Sequence, residues 1–199
     1  YHMDEPLADP AAVALYFVCN IASQKLKVVL SGEGADEIFG GYNVYSEPDG
    51  TFYDKLPKSL KRGIGNVAGK LPAHRGVNFF IRKGKELEER FIGNAYMFTP
   101  EERKKILKIT TDAPDPTVIT KPFYDKVKDK DEVTKMQYLD LHLWMTGDIL
   151  LKADKMSMAN SLELRVPFLD KEIMAVAEKI PRKYRVTHKE TTDDTKYIT

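Results

Sequence analysis

The stretch KVVLSGEGADE, residues 27 to 37, constrains this chain most. A short β-branched apolar run leads directly into a turn with glycine at 32 and 34, and ADE then begins a helix. KLKVVL shows no polar alternation and reads as a strand near residues 26 to 30, covered on both faces in a parallel sheet. Gly32 and Gly34 keep side chains out of the turn, so amide N–H groups can approach a phosphate, and Ser31 adds a hydroxyl donor. Glu33, Asp36 and Glu37 put three carboxylates where an anion would sit, which is repulsive unless a divalent cation mediates or one carboxylate acts on an electrophile. The residues alone also describe a plain strand-to-helix turn whose acidic first turn complements the helix dipole, with Gly40 and Gly41 ending it. The GK[ST] ending of a Walker loop is not present.

The segments around this turn are mostly helical. AAVALYFVCNIASQ follows Asp9 as a cap and Pro10 in the first turn, and it reads as a buried helix. No second apolar run matches KLKVVL, so the remaining strands of the sheet are expected to lie outside these residues. FYDKLP can open a helix, KSLKRGIGNVAGKLP carries apolar positions 60, 64, 67 and 71 at near-helical spacing, and KELEERFIGNAYMF reads as amphipathic. Thr99, Pro100 and Glu102 form a helix start for TPEERKKILK, whereas ITTDAPDPTVITKP, with three prolines, reads as a loop. Residues 131 to 159 form the longest helical candidate, broken only by Gly147. Asp170 then caps KEIMAVAEKI.

Composition excludes several classes. The chain has 199 residues, and 31 basic against 30 acidic side chains leave a net charge of +1, too little for a nucleic-acid footprint. Its single cysteine, Cys19, permits no internal disulfide and suits a reducing compartment. No apolar run reaches the roughly 18 residues of a membrane span, and no signal peptide is visible. A cytoplasmic protein is expected.

A second dense segment, LLKADKMSMANSLELRVPFLD, sets Lys152, Asp154, Lys155, Glu163 and Arg165 among apolar residues. Taken alone it is a solvated helix face with an ion-paired exit. Together, VVLSGEGADEIFGGY and ADKMSMANSLELRVPFLD resemble the synthetase domain of the glutamine-hydrolysing asparagine synthetases. There a phosphate-binding turn of SGEG[SA]DE type precedes a segment of [RK]x[DN][RK]MSMxxSLExRxPFLD type, and the resemblance spans nearly the whole chain.

The resemblance implies a mostly α fragment of an α/β doubly wound, adenine nucleotide α-hydrolase-like domain. Residues 1–45 would form a strand and phosphate-loop unit, and residues 46–199 a helical part. It implies that ATP adenylates the side-chain carboxylate of aspartate and that glutamine-derived ammonia displaces AMP. Ser31, Gly32 and Gly34 match the phosphate turn, Glu33 the acid needed for the acyl adenylate, and Asp36 a Mg2+ carboxylate, with Glu37 a weaker candidate. Lys152, Asp154 and Lys155 match positions near the cleft, while Glu163 and Arg165 look structural. The family's SGG[VLI]DS loop and glutaminase cysteine do not occur here, so the chain is expected to be a central part of a longer enzyme, inactive alone, with a homo-oligomer possible. Two other readings stay open: a β-lactam-forming synthetase, against which the intact Glu33 argues, and a non-catalytic helical interaction module.

Overall fold

The computed structural model describes residues 1–4, 6–7, 9–46, 52–72, 74–94, 96–109 and 113–186. In chain order the elements are α1 (Ala11–Ser23), β1 (Val28–Leu30), α2 (Ala35–Phe39), α3 (Lys58–Ala68), α4 (Arg75–Lys83), α5 (Leu87–Arg90), α6 (Pro100–Ile106), α7 (Thr117–Lys126), α8 (Glu132–His142), α9 (Leu150–Met158), β2 (Glu163–Arg165), α10 (Lys171–Ala177) and α11 (Arg182–Arg185). A π-helical turn, Met145–Ile149, contains Gly147 and leads into α9. Short 3-10 turns lie at Asn43–Ser46, Phe52–Lys55 and Pro167–Leu169. The chain divides into two compact units: Tyr1–Ser46 with Gln137–Thr199, and the intervening Glu47–Met136.

In the first unit, β1 pairs in parallel with β2, Val28 opposite Glu163 and Leu30 opposite Arg165. The expectation of a single strand is therefore corrected, because ELR supplies a partner within this chain. ELR escapes an apolar-run search because only Leu164 turns inward, while Glu163 and Arg165 are exposed and bonded to each other. A backbone device delivers it: Ser161 stands at φ 53, the left-handed region, and Leu162 N–H donates to the Ser157 carbonyl, ending α9 as a Schellman-type cap does.

Two burial expectations are also corrected. β1 is not covered on both faces, since Val28 is 41% and Leu30 74% exposed. Helix α1 buries only Ala12 and Cys19, leaving Val13, Phe17, Val18 and Ile21 exposed. It packs on α9 with this narrow stripe of small side chains. The core of the unit comes instead from Tyr45, Leu139, Met145, Ala153, Met156 and Leu162.

The second unit is helical. Gly65 of α3 meets Gly84, just past α4, so closely that a β-carbon on Gly65 would lie 3.1 Å from the Gly84 Cα. Tyr53, Phe79 and Phe80 cluster beside this crossing. Helix α6 begins as expected, with Thr99 and Glu102 exchanging the two bonds of a capping box. The helix expected over 85–98 shrinks to α5, because the chain is extended at Phe91 and turns at Gly93 with φ 112. The proline-rich loop gives way to α7 from Thr117, where Asp115 Oδ1 accepts from both the N–H and the hydroxyl of Thr117. Pro122 lies inside α7 and is accommodated there. Part of that expected loop, 110–112, lies outside the described residues.

Candidate functional site

The turn after β1 is shaped by contacts at both ends of α2. At its start, Ser31 N–H donates to the Arg165 carbonyl at 2.8 Å, extending the sheet one residue into the motif. Gly34 then adopts φ 91, and a β-carbon there would stand 2.4 Å from Leu169 Cδ2. Glycine is thus demanded twice, by backbone conformation and by space. Gly32 differs: its φ is not positive, and a β-carbon would meet nothing within 4 Å. The fold does not need glycine at 32, which leaves open space beside the backbone where a ligand can approach.

Helix α2 spans only five residues, so little dipole accumulates, and an anion at the turn would depend on Ser31 and local N–H groups. The Ser31 hydroxyl accepts the Glu33 N–H over a long 3.4 Å, a contact easily exchanged for a ligand.

The three carboxylates have different settings. Glu37 is 2% exposed, and its Oε1 accepts the Tyr42 hydroxyl at 2.5 Å. Burial pushes its pKa up, with the Tyr42 bond opposing and Asp36 and Glu33 adding to the rise. The Tyr42 phenol is raised far above its usual value by burial and then by Glu37, which keeps it a donor. Glu33 is half-buried and also raised, chiefly by burial; the Lys152 charge opposes this, and Asp36 and Asp9 reinforce it. Asp36 is half-buried between them, and its backbone carbonyl accepts the N–H groups of Gly40 and Gly41. Glu37 is committed to a structural bond with Tyr42, whereas the Glu33 carboxyl, raised by burial, has no such bond to a tyrosine and is the better placed of the two to exchange a proton with a ligand.

Of the three candidates in the second motif, Lys152 is the one the structure brings to the turn. It is buried on α9, pairs with Asp9 at 2.5 Å across 143 residues of sequence, and acts on the Glu33 charge. Lys155 pairs with Asp4 at the unit's edge, and exposed Asp154 raises the Lys155 pKa, after Asp4. Sequence reasoning gave Asp9 only a capping role, which it also performs by accepting the Ala11 N–H at 2.9 Å. Its partnership with Lys152 has no local signal.

Beneath the turn lie further polar residues that the motifs did not announce. The Tyr45 hydroxyl donates to fully buried Asp140 at 2.5 Å, and the Tyr45 ring meets the Tyr42 ring edge-on. Trp144 lies against Tyr42 at 5.1 Å between ring centres and donates to Asp148. Gln137 donates to the carbonyls of Glu37 and Ile38 at 2.7 and 2.9 Å, and Arg185 donates to the Gln137 side-chain oxygen at 2.9 Å.

Among the described residues no three His, Cys, Asp or Glu side chains gather as a metal site, and no helix is long and apolar enough to cross a membrane. A cavity of about 690 Å³ within the second unit, lined by residues including Arg62, Lys70, Lys85 and Asp115, contains no residue of the turn.

The family model for asparagine synthase matches residues 1–199. The chain belongs to the asparagine synthase family. Within the family it is 49% identical over 183 residues to asparagine synthetase [glutamine-hydrolyzing] 1 of Bacillus subtilis, an overlap of 91% of this chain and 29% of that protein. A putative asparagine synthetase [glutamine-hydrolyzing] of Mycobacterium tuberculosis H37Rv is 47% identical over 193 residues, 96% of this chain and 30% of that protein. A putative relative of the same kind in Methanocaldococcus jannaschii is 32% identical over 176 residues, 83% of this chain and 32% of that protein. The chain thus spans about three tenths of the length of these relatives. No solved structure matches it.

Proposed function

We propose that this chain is part of an ATP-dependent asparagine synthetase that uses glutamine-derived ammonia, and that it contributes the Ser31–Glu37 turn to the adenylating site. The observation that carries the reading is Glu33: a carboxyl raised by burial, opposed by a buried lysine, in a turn with open backbone at Gly32. Family membership supports the substrate class. The parallel pair β1 and β2 is read as a piece of a doubly wound, adenine nucleotide α-hydrolase-like sheet completed elsewhere in the protein.

In this reading an oxygen of the aspartate side-chain carboxylate attacks the α-phosphorus of ATP, and the bond to pyrophosphate breaks, leaving β-aspartyl-AMP. Ammonia then attacks the acyl carbon, the bond to AMP breaks, and the surplus proton leaves the new amide nitrogen. The Ser31 hydroxyl and the backbone at Gly32 and Gly34 receive phosphate oxygens. Glu33 orients the incoming ammonia and accepts its proton, a role for which a raised carboxyl is suited. Lys152, fixed by Asp9, limits how far the Glu33 pKa rises and so keeps that group ionisable.

Mg2+ needs only one or two carboxylates when nucleotide phosphates and water complete its shell, and it would screen the phosphate charge. Asp36 fits as that carboxylate, since Glu37 is bound to Tyr42. The cytoplasm, where ATP and free amino acids meet, is the proposed location.

The test is pyrophosphate release by the intact protein with ATP, Mg2+ and ammonia, with and without aspartate. Release that requires aspartate and matches asparagine formed is expected. Release indifferent to aspartate, or none, refutes the reading.

A further inference from the structure

The polar network below α2 has a direction. Arg185 can only donate hydrogen bonds, so the Gln137 side-chain oxygen must face it, and the Gln137 nitrogen must then face the opposite way. There Nε2 meets the carbonyls of Glu37 and Ile38, in the last turn of a five-residue helix whose final carbonyls have no partners within the helix. Gln137 is 4% exposed, so water is a poor substitute. The next residue along from Arg185 also touches this end: Gly40, at φ 76, leaves room for Val186, whose Cγ2 would lie 2.6 Å from a β-carbon at 40. A helix this short has almost no stability of its own, so its placement depends on what grips its ends.

We propose that Gln137 and Arg185 are positioning residues for the turn: Arg185 fixes the Gln137 amide, and Gln137 holds α2 so that Glu33 and Asp36 keep their places. The inference rests on the catalytic reading of that turn for its effect on rate, but the grip itself is independent of that reading. Misplacement by about 1 Å can cost on the order of 10²-fold in rate, and two residues acting in series should not add.

The experiment uses the intact protein with Gln137→Leu, Arg185→Leu, the double variant and Arg185→Lys, each assayed well below its melting temperature and corrected for the folded fraction. The first readout is amide hydrogen exchange. Exchange of the 31–42 segment should rise at least tenfold in both leucine variants, no further in the double, and return near wild type in Arg185→Lys, while α3 and α4 stay unchanged. The second is aspartate-dependent pyrophosphate release. There kcat should fall about 10- to 100-fold in both leucine variants, the KM for aspartate should change less than threefold, and the lysine variant should recover to within about fivefold.

Unchanged exchange over 31–42, or a double variant equal to the product of the singles, overturns the proposal. So does a loss of rate that tracks only the folded fraction. If wild type releases no aspartate-dependent pyrophosphate, the proposed function fails, and exchange alone still decides the grip.

Discussion

Replacing Gly34 by alanine separates what the fold demands of the turn from what chemistry demands. The native φ of 91 lies in a region costly for an L side chain, about 1–2 kcal/mol. The new β-carbon would also stand 2.4 and 2.8 Å from Leu169 Cδ2 and Cγ. Those atoms belong to a flexible side chain, so relief by repacking is possible at about 1–3 kcal/mol, the usual range for overpacking. Gly34→Ala should therefore cost about 2–5 kcal/mol in total. In a Leu169→Ala background the struck atoms are gone, and the same change should cost only the conformational part, leaving a coupling of about 1–3 kcal/mol. Gly32→Ala is the contrast: with open space and no positive φ it should stay within about 0.5 kcal/mol of wild type yet lower activity by blocking the backbone. The assay is urea unfolding followed by the fluorescence of Trp144, the single tryptophan, which lies against Tyr42 in the same unit. A Gly34→Ala cost below about 0.5 kcal/mol, or equal costs with and without Leu169, would refute the reasoning.

Three further outcomes are expected. Glu33→Gln should lower aspartate-dependent turnover by about 10²- to 10⁴-fold with no loss of stability, and turnover within threefold of wild type in a pyrophosphate assay would make the carboxylate structural. Lys152→Met removes the charge that opposes the rise of Glu33, so the acid limb of the kcat/KM profile should move to higher pH; an unmoved limb means that Lys152 does not act on Glu33. Glu37 has its folded pKa raised by burial, so its contribution is full below its unfolded value and is lost as pH rises through the folded one. Glu37→Gln, which still accepts from Tyr42, should therefore gain stability relative to wild type as pH climbs past the ordinary carboxylate range, and urea midpoints that run parallel across that range would contradict this.

The turn was legible because its requirements are local: a strand, glycine where φ is positive, a helix start. Capped elements were legible for the same reason, as at Thr99 and at Asp170, which accepts the Glu172 N–H. What escaped depends on residues distant in sequence. β2 has one inward residue and becomes a strand only because β1 lies beside it. Gln137 reads as one polar residue on a helix, and only the carbonyls of Glu37 and Ile38, about a hundred positions earlier, give it a role. Helix α7 was hidden by proline, whose bias toward extended backbone yields to the Asp115 cap. The glycines at 32 and 34 look alike in the sequence, and the positive φ of Gly34 and its closeness to Leu169 separate them only in the folded chain.

The first unit is built from two stretches of chain with the second unit inserted between them, and this sets a timetable for biosynthesis. β1 and the acidic turn leave the ribosome before the inserted unit, but β2, Leu169, Arg185 and Val186, which fix them, are translated only after the whole insertion. At about 5–20 residues per second, the nascent turn waits roughly six to thirty seconds for its partners. During that interval the exposed apolar residues of α1 and β1 are open to non-native contacts, whereas the inserted helices, joined by short-range contacts, can fold as they emerge. Slowing translation after the insertion should therefore lower the yield of folded protein more than slowing it over residues 1–40.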